Sequence, residues 1–260
     1  MKRNIVLYVF IGLFTAGCVM LGQRAPKKDP KQEVFEELMT AFENRAYESS
    51  ITAAQQFLSQ YPKKSGRKDV VLVRLGESFE GLLKQNYQDL VDEGVDEGKA
   101  RTTFLAKYGH YNCWETQNGA LVYNKAIFRQ LFEENPKSNY ADEAYYNLFQ
   151  WSRNLDEDPP RIEPEITHLK EVLRKFPTTS LSPKILFQIG YRFHLLYEIY
   201  SFSKDPKKRS DAKAQESFHQ AENSYNLCLN VPHGSEYSKK AFRNLEMLRQ
   251  GVRVFIKQQP

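Results

Sequence analysis

Apolar residues recur at three- and four-residue spacing through most of this chain, and the pattern stops four times at a proline before restarting. The stops are FLSQYPKKSG at Pro62, LFEENPKSNYADEA at Pro136, VLRKFPTTSLSP at Pro177 and CLNVPHGSEYSKKA at Pro232. That spacing predicts amphipathic helices. A proline lacks the amide hydrogen that a continuing helix needs, so each one marks a helix end. The expected helices cover about 31–44, 46–60, 67–85, 120–134, 140–154, 164–176, 183–202, 211–230 and 236–256. Residues 86–119, which include the acidic run DEGVDEG, form an insert with no assigned structure. No segment shows sustained strand alternation, so the expected class is all-α.

Each proline is followed by a short polar turn. In three of the turns a hydroxyl (Ser138, Thr179, Ser235) is placed to accept from the first free amides of the next helix. Small residues Ala141, Ala144 and Ala241 open the following helices, where a neighbour can approach closely. One helical hairpin cannot bury its own apolar face, so successive hairpins have to share a core. The expectation is a tetratricopeptide-like α-solenoid of about four to five hairpins over residues 31–257, with KKAFRNLEMLRQGVRVFI as a capping helix. The prolines are unevenly spaced, unlike a strict array with a period of about 34 residues. FLAKYG at Phe104–Gly109 echoes FLSQYP, with glycine where the proline would stand.

Two loops stand out by charge, Asn154–Pro164 (acidic, a proline-rich break) and Lys204–Asp211 (basic); both read first as solvated connections. In the helix over 183–202, Phe187, Tyr191, Leu195 and Tyr197 form a predicted buried seam, and Phe193 and Tyr200 lie off it. Such a helix is either sandwiched in the stack or exposes a strip to a partner.

The beginning of the chain carries a different signal. Lys2 and Arg3 precede the apolar run IVLYVFIGLF, too short to span a bilayer comfortably, and Thr15-Ala16-Gly17 leads into Cys18. This reads as a secretory signal over 1–17, and the tetrapeptide resembles a bacterial lipobox with Thr15 in place of the usual leucine. Cys18 is then the lipidated residue of an exported protein, and 18–30 is a flexible tether. Two or more acyl chains anchor stably where one does not. The alternative is an uncleaved anchor in which Cys18 is incidental. Val19 after the cysteine implies, by the resemblance, sorting to the outer membrane, on its periplasmic side.

Composition narrows the function. The net charge of +5 loses two units with Lys2 and Arg3, too weak a bias for nucleic acid, and aromatics at 13% supply core material. The five histidines show no HExxH arrangement, no serine sits in GxSxG, and no glycine-rich phosphate loop is present. The chain is therefore expected to be no enzyme and to carry no cofactor. A metal site would need His110 and Cys113 to meet Cys228 and His233 from a distant segment, and none is expected.

The lipobox, the short tether and the YP or NP hairpin ends, followed by a YADEAYYNL-type helix start, together resemble the BamD-type outer-membrane assembly lipoproteins. AYESSITAAQQFLSQYPKKSG is similar to that family's first repeat and AIFRQLFEENPKSNYADEAYYNL to its middle; the resemblance covers about residues 31–250. It implies a scaffold in the machinery that inserts β-barrel proteins, with a barrel-forming core protein and unfolded outer-membrane segments as partners. The same repeat signature occurs in Tol-Pal-associated and peptidoglycan-associated envelope scaffolds, which is the second reading. No apolar heptads precede Phe35, unlike the coiled coil usual in the Tol-associated proteins.

Groove-lining candidates in the first hairpins are Tyr47, Arg74, Glu77 and Phe79. Aromatics at helical spacing are more often core, and Arg with Glu three positions on is more often a plain surface pair. Cys113 and Cys228 are an even pair in an oxidising compartment; they either form a disulfide between insert and last hairpin or remain separate thiols, Cys228 in the core of its helix.

Overall fold

A computed structural model describes residues 29–63, 66–117, 119–152, 158–231 and 235–255. The signal, the lipobox with Cys18, all but the end of the tether, and Pro232 and His233 lie outside the described residues. The described chain is mostly helical with one two-stranded sheet.

The first three helices are α1 (Pro30–Glu43), α2 (Tyr47–Gln60) and α3 (Gly66–Leu83). Asp29 caps α1 by accepting from the Lys31 amide, with Pro30 at the first helical position where its missing N–H costs nothing. The insert follows. A π turn, Lys84–Gln88, leads into the short α4 (Asp89–Asp92) and then α5 (Glu97–Tyr108), which is capped by Asp96 and ends at Gly109, where FLAKYG ends. A hairpin of β1 (Trp114–Gln117) and β2 (Ala120–Tyr123) pairs antiparallel, Trp114 opposite Tyr123 and Gln117 opposite Ala120. The described chain is consistent with the all-α expectation, this hairpin being its one sheet, and the helix expected from 120 starts later, as α6 (Ala126–Glu134). Leu121, Val122 and Tyr123 are all buried, so β2 has no alternation to betray it.

The second half comprises α7 (Ala141–Asn147), α8 (Pro159–Lys175), α9 (Ser182–Phe202), α10 (Asp211–Leu229) and α11 (Glu236–Arg249). Helix α7 is shorter than expected. Helix α8 begins five residues before the expected 164, so Asp158–Pro164 is helix start rather than a break. Pro159 and Pro160 fit its first turn, and burial of Ile162, Ile166, Leu169 and Val172 outweighs the amide that Pro164 lacks. The basic loop is a short 3₁₀ turn, Pro206–Lys208.

Three of the proline stops have one geometry. Tyr61, Asn135 and Phe176, each just before proline, have φ/ψ of −129°/63°, −144°/66° and −127°/70°. Steric conflict with the proline ring drives the preceding residue out of the helical region. The next step also repeats. Ser138 accepts from the Tyr140 amide and donates to Asp69 on α3; Thr179 accepts from the Leu181 amide and donates to Asp142 on α7. These two hydroxyls therefore tie a turn to the preceding helix pair rather than cap the next helix. Ser235 does cap α11, in a capping box with Ser238.

Helices pack in chain order with the insert skipped: α1 on α2, α2 on α3, α3 across the insert on α6, α6 on α7, α7 on α8 and α8 on α9. Helices α9, α10 and α11 are in mutual contact, and α1 also touches α3. The small residues Ala141, Ala144 and Ala241 are buried, as expected. Close approach is also made by glycine: an added Cβ on Gly76 would lie 2.6 Å from the Phe128 ring, and one on Gly190 2.6 Å from Tyr225. Helix α9 is sandwiched, but its most buried apolar side chains are Ile185, Ile189, Leu195, Leu196 and Ile199. Of the expected seam Leu195 is buried as expected, but Phe187, Tyr191 and Tyr197 are half-buried; of the two residues placed off it, Phe193 is half-buried and Tyr200 is buried.

Cys113 and Cys228 are free thiols, not a disulfide. They lie in different cores, Cys113 among residues of α1–α7 and Cys228 among α10 and α11, where its thiol donates to the Pro183 carbonyl at 3.2 Å. Burial pushes the Cys113 thiol up to about 12.

Candidate functional site

Arg74 sits midway along α3 and reaches three helices. Its Nη1 donates to Glu77 one turn on and to Glu143 Oε1 of α7 at 3.0 Å, and its guanidinium lies 5.1 Å from the Phe42 ring of α1. The three charged side chains are each about a fifth to a quarter exposed (20%, 24% and 21%), so partly dried but reachable. Burial raises the pKa of Glu77, with Glu143 adding to the effect and Arg74 opposing it. Burial alone would lower Arg74, but Glu77 and Glu143 win and raise it. Arg74 and Glu77 therefore do more than pair along one helix.

The polar line continues across the next helices. Lys184 of α9 acts on Glu77 and holds its ammonium 4.4 Å from the Tyr146 ring of α7. Tyr146 donates its hydroxyl to Gln188 Oε1 at 3.1 Å. Arg192 donates to the Gln188 carbonyl and, at 2.6 Å, to Glu165 of α8, while its guanidinium faces Trp151 at 5.2 Å. Glu165 (1% exposed) also accepts from the Ser152 amide at 2.7 Å, so this buried pair is fully held.

Between the end of α3 and the segment after α7 lies a cleft of about 330 Å³ lined by Glu80, Lys84, Asp92, Lys125, Gln150 and Trp151, among others. Lys125 has a left-handed backbone (φ 62°) and pairs with Glu80. Burial pulls its pKa down to about 8 even with that carboxylate beside it. The charges along this line alternate in sign, which suits a polypeptide better than a polyanion. Among the described residues no group of three His, Cys, Asp or Glu could hold a metal ion, and no helix is long and apolar enough to cross a membrane.

The other two candidates lie elsewhere. Phe79 is 4% exposed and packed against Tyr111, Trp114 and Tyr123 of the insert, so it is a core residue and lines no groove. Tyr47 lies at the start of α2 with its ring against Gly81, where an added Cβ would come within 2.2 Å. It is a helix contact, apart from Arg74. Sequence reasoning missed Glu143, Glu165, Arg192 and Lys125. Arg192 alone had a usable signal, a charge in a helix apolar on nearly every side. No protein-family model and no curated protein matches the chain.

Proposed function

We propose that this chain is a non-catalytic protein-binding scaffold, a tetratricopeptide-like solenoid whose partner lies along the face carrying Phe42, Arg74, Glu77, Glu143 and Lys184. The observation that carries the reading is Arg74 joining α1, α3 and α7 through partly exposed charges. The repeated turns at Asn135 and Phe176, each tied back to an aspartate of the preceding pair, support a repeat architecture. A line of alternating charge set on rigid helices offers a partner fixed register and specificity.

The lipobox reading makes the scaffold an exported protein held at the periplasmic side of the outer membrane through acylated Cys18. The resemblance to BamD-type lipoproteins makes its partner a β-barrel assembly core protein. Affinity purification of the tagged full chain from solubilised envelopes tests both points. Recovery of a barrel-assembly core protein, lost in Arg74→Glu, supports the assignment; recovery of Tol, Pal or wall-synthesis proteins instead replaces it with the second reading. Metabolic labelling with palmitate that persists in Cys18→Ser would remove the anchor.

A further inference from the structure

Helix α11 stops because Gly251 adopts φ 67°, with the Gly251 amide donating to the Leu248 carbonyl and the Val252 amide to the Met247 carbonyl. This left-handed ending turns the chain sharply back. Residues expected to continue the capping helix instead leave it and bend at Val254 and Phe255: Val252 and Val254 are exposed (44% and 39%), while Arg253 and Phe255 contact α9. The contacts follow one stripe of α9 in reverse order. Arg253 lies 4.0 Å from the Phe202 ring. The amides of Val254 and Phe255 donate to the two oxygens of Glu198, at 2.6 and 3.0 Å. The Phe255 ring stands edge-on to Tyr191 at 4.6 Å and to His194 at 5.3 Å.

A carboxylate gripping two successive backbone amides recognises a bent backbone, because in an extended one neighbouring amides point to opposite sides, and the flanking rings read the side chains on either side of the bend. Glu198 is 1% exposed and belongs to α9, so the receptor half is built into the fold and only three tail residues supply the ligand half. His194 is fully buried beneath the tail, and neither ring nitrogen has a hydrogen-bond partner. Its Nε2 lies 3.5 Å from Glu198 Oε1, so the carboxylate that grips the tail also faces this ring.

We propose that this stripe of α9 is a peptide site for a bent segment, that residues 253–255 occupy it as a built-in competitor, and that it accepts a partner-protein segment with a basic residue two positions before an aromatic. The tail is tethered at an effective concentration of the order of mM, so a partner segment has to bind the vacated site well below that to displace it. The proposal is independent of the assembly reading, since it concerns a different stripe and stands whatever partner lies along Arg74.

The test uses a fluorescent peptide of residues 250–260 and measures its anisotropy with the full chain and with a chain ending at Gly251. The shortened chain is expected to bind at least about ten-fold more tightly than the full chain, with the gain lost on Glu198→Gln or when the peptide carries Phe255→Ala. Should the shortened chain fail to fold, the full-length Phe255→Ala chain replaces it and is expected to take up the wild-type peptide better than wild type does. Equal binding by all folded chains, or no effect of the peptide's Phe255, overturns the proposal. So does a concentration-dependent dimer of the full chain that disappears on shortening, which would make the tail an exchanged arm between copies.

Discussion

The polar groups around Arg74 and those along α9 are built from the same residue types and behave differently. Arg74, Glu77 and Glu143 keep about a fifth of their surface in water, whereas Glu165 and Arg192 are both below a tenth. A partly exposed network contributes little to stability and remains free to exchange partners. A sealed pair such as Glu165–Arg192 mainly holds the fold and loses heavily when a partner is removed. The contrast separates the face proposed for binding from the framework that holds it.

The largest expected effect follows from breaking the sealed pair. Glu165→Ala leaves Arg192 charged and unpaired in the interior and frees the Ser152 amide, so urea unfolding should show a loss of about 3–5 kcal/mol. Next comes acid. Burial depresses His194 to about 4 in the folded chain, against an unfolded value near 6.5. Its neutral form is the one the fold favours, so its contribution is whole above pH 6.5 and disappears as pH falls toward 4. The stability lost over that window is about 3 kcal/mol. His194→Leu should flatten this part of a pH series of unfolding midpoints.

Smaller still is Gly190→Ala, whose new methyl meets the Tyr225 ring at 2.6 Å; overpacking there should cost about 1–3 kcal/mol. Smallest is Arg74→Ala, with a stability change of at most about 1 kcal/mol. If Arg74→Ala instead destabilised the chain as much as Glu165→Ala, the distinction between face and framework would fail.

How much of this was legible in the chain follows the same physics. The helices before and after Pro62, Pro136 and Pro177 were readable because proline acts locally, on its own ring and the residue before it. The start of α8 was not, since prolines at 159 and 160 suit a first turn as well as a break, and only burial of Ile162 decides between them. The hairpin of the insert left one sign, Asn118-Gly119, a favoured two-residue turn sequence, with Gly119 at φ 88°. Gly251 likewise marked the end of α11, but an apolar VRVF after it continued the helical pattern on paper.

The site was half visible. Arg74 and Glu77 could be picked out as a spaced pair, but Glu143 is 69 positions away and only packing brings it to Arg74. Phe79 and Arg74 lie five residues apart on α3, and the sequence held nothing to say that the insert would fold over one and leave the other near water.

Placing a photo-crosslinking residue at position 143, beside Arg74, and in a second chain at position 174, on an exposed part of α8, tests the central claim most directly. In living cells the account predicts a crosslinked barrel-assembly core protein from position 143 and none from 174. Crosslinking from 174 alone, or equally from both, would contradict it.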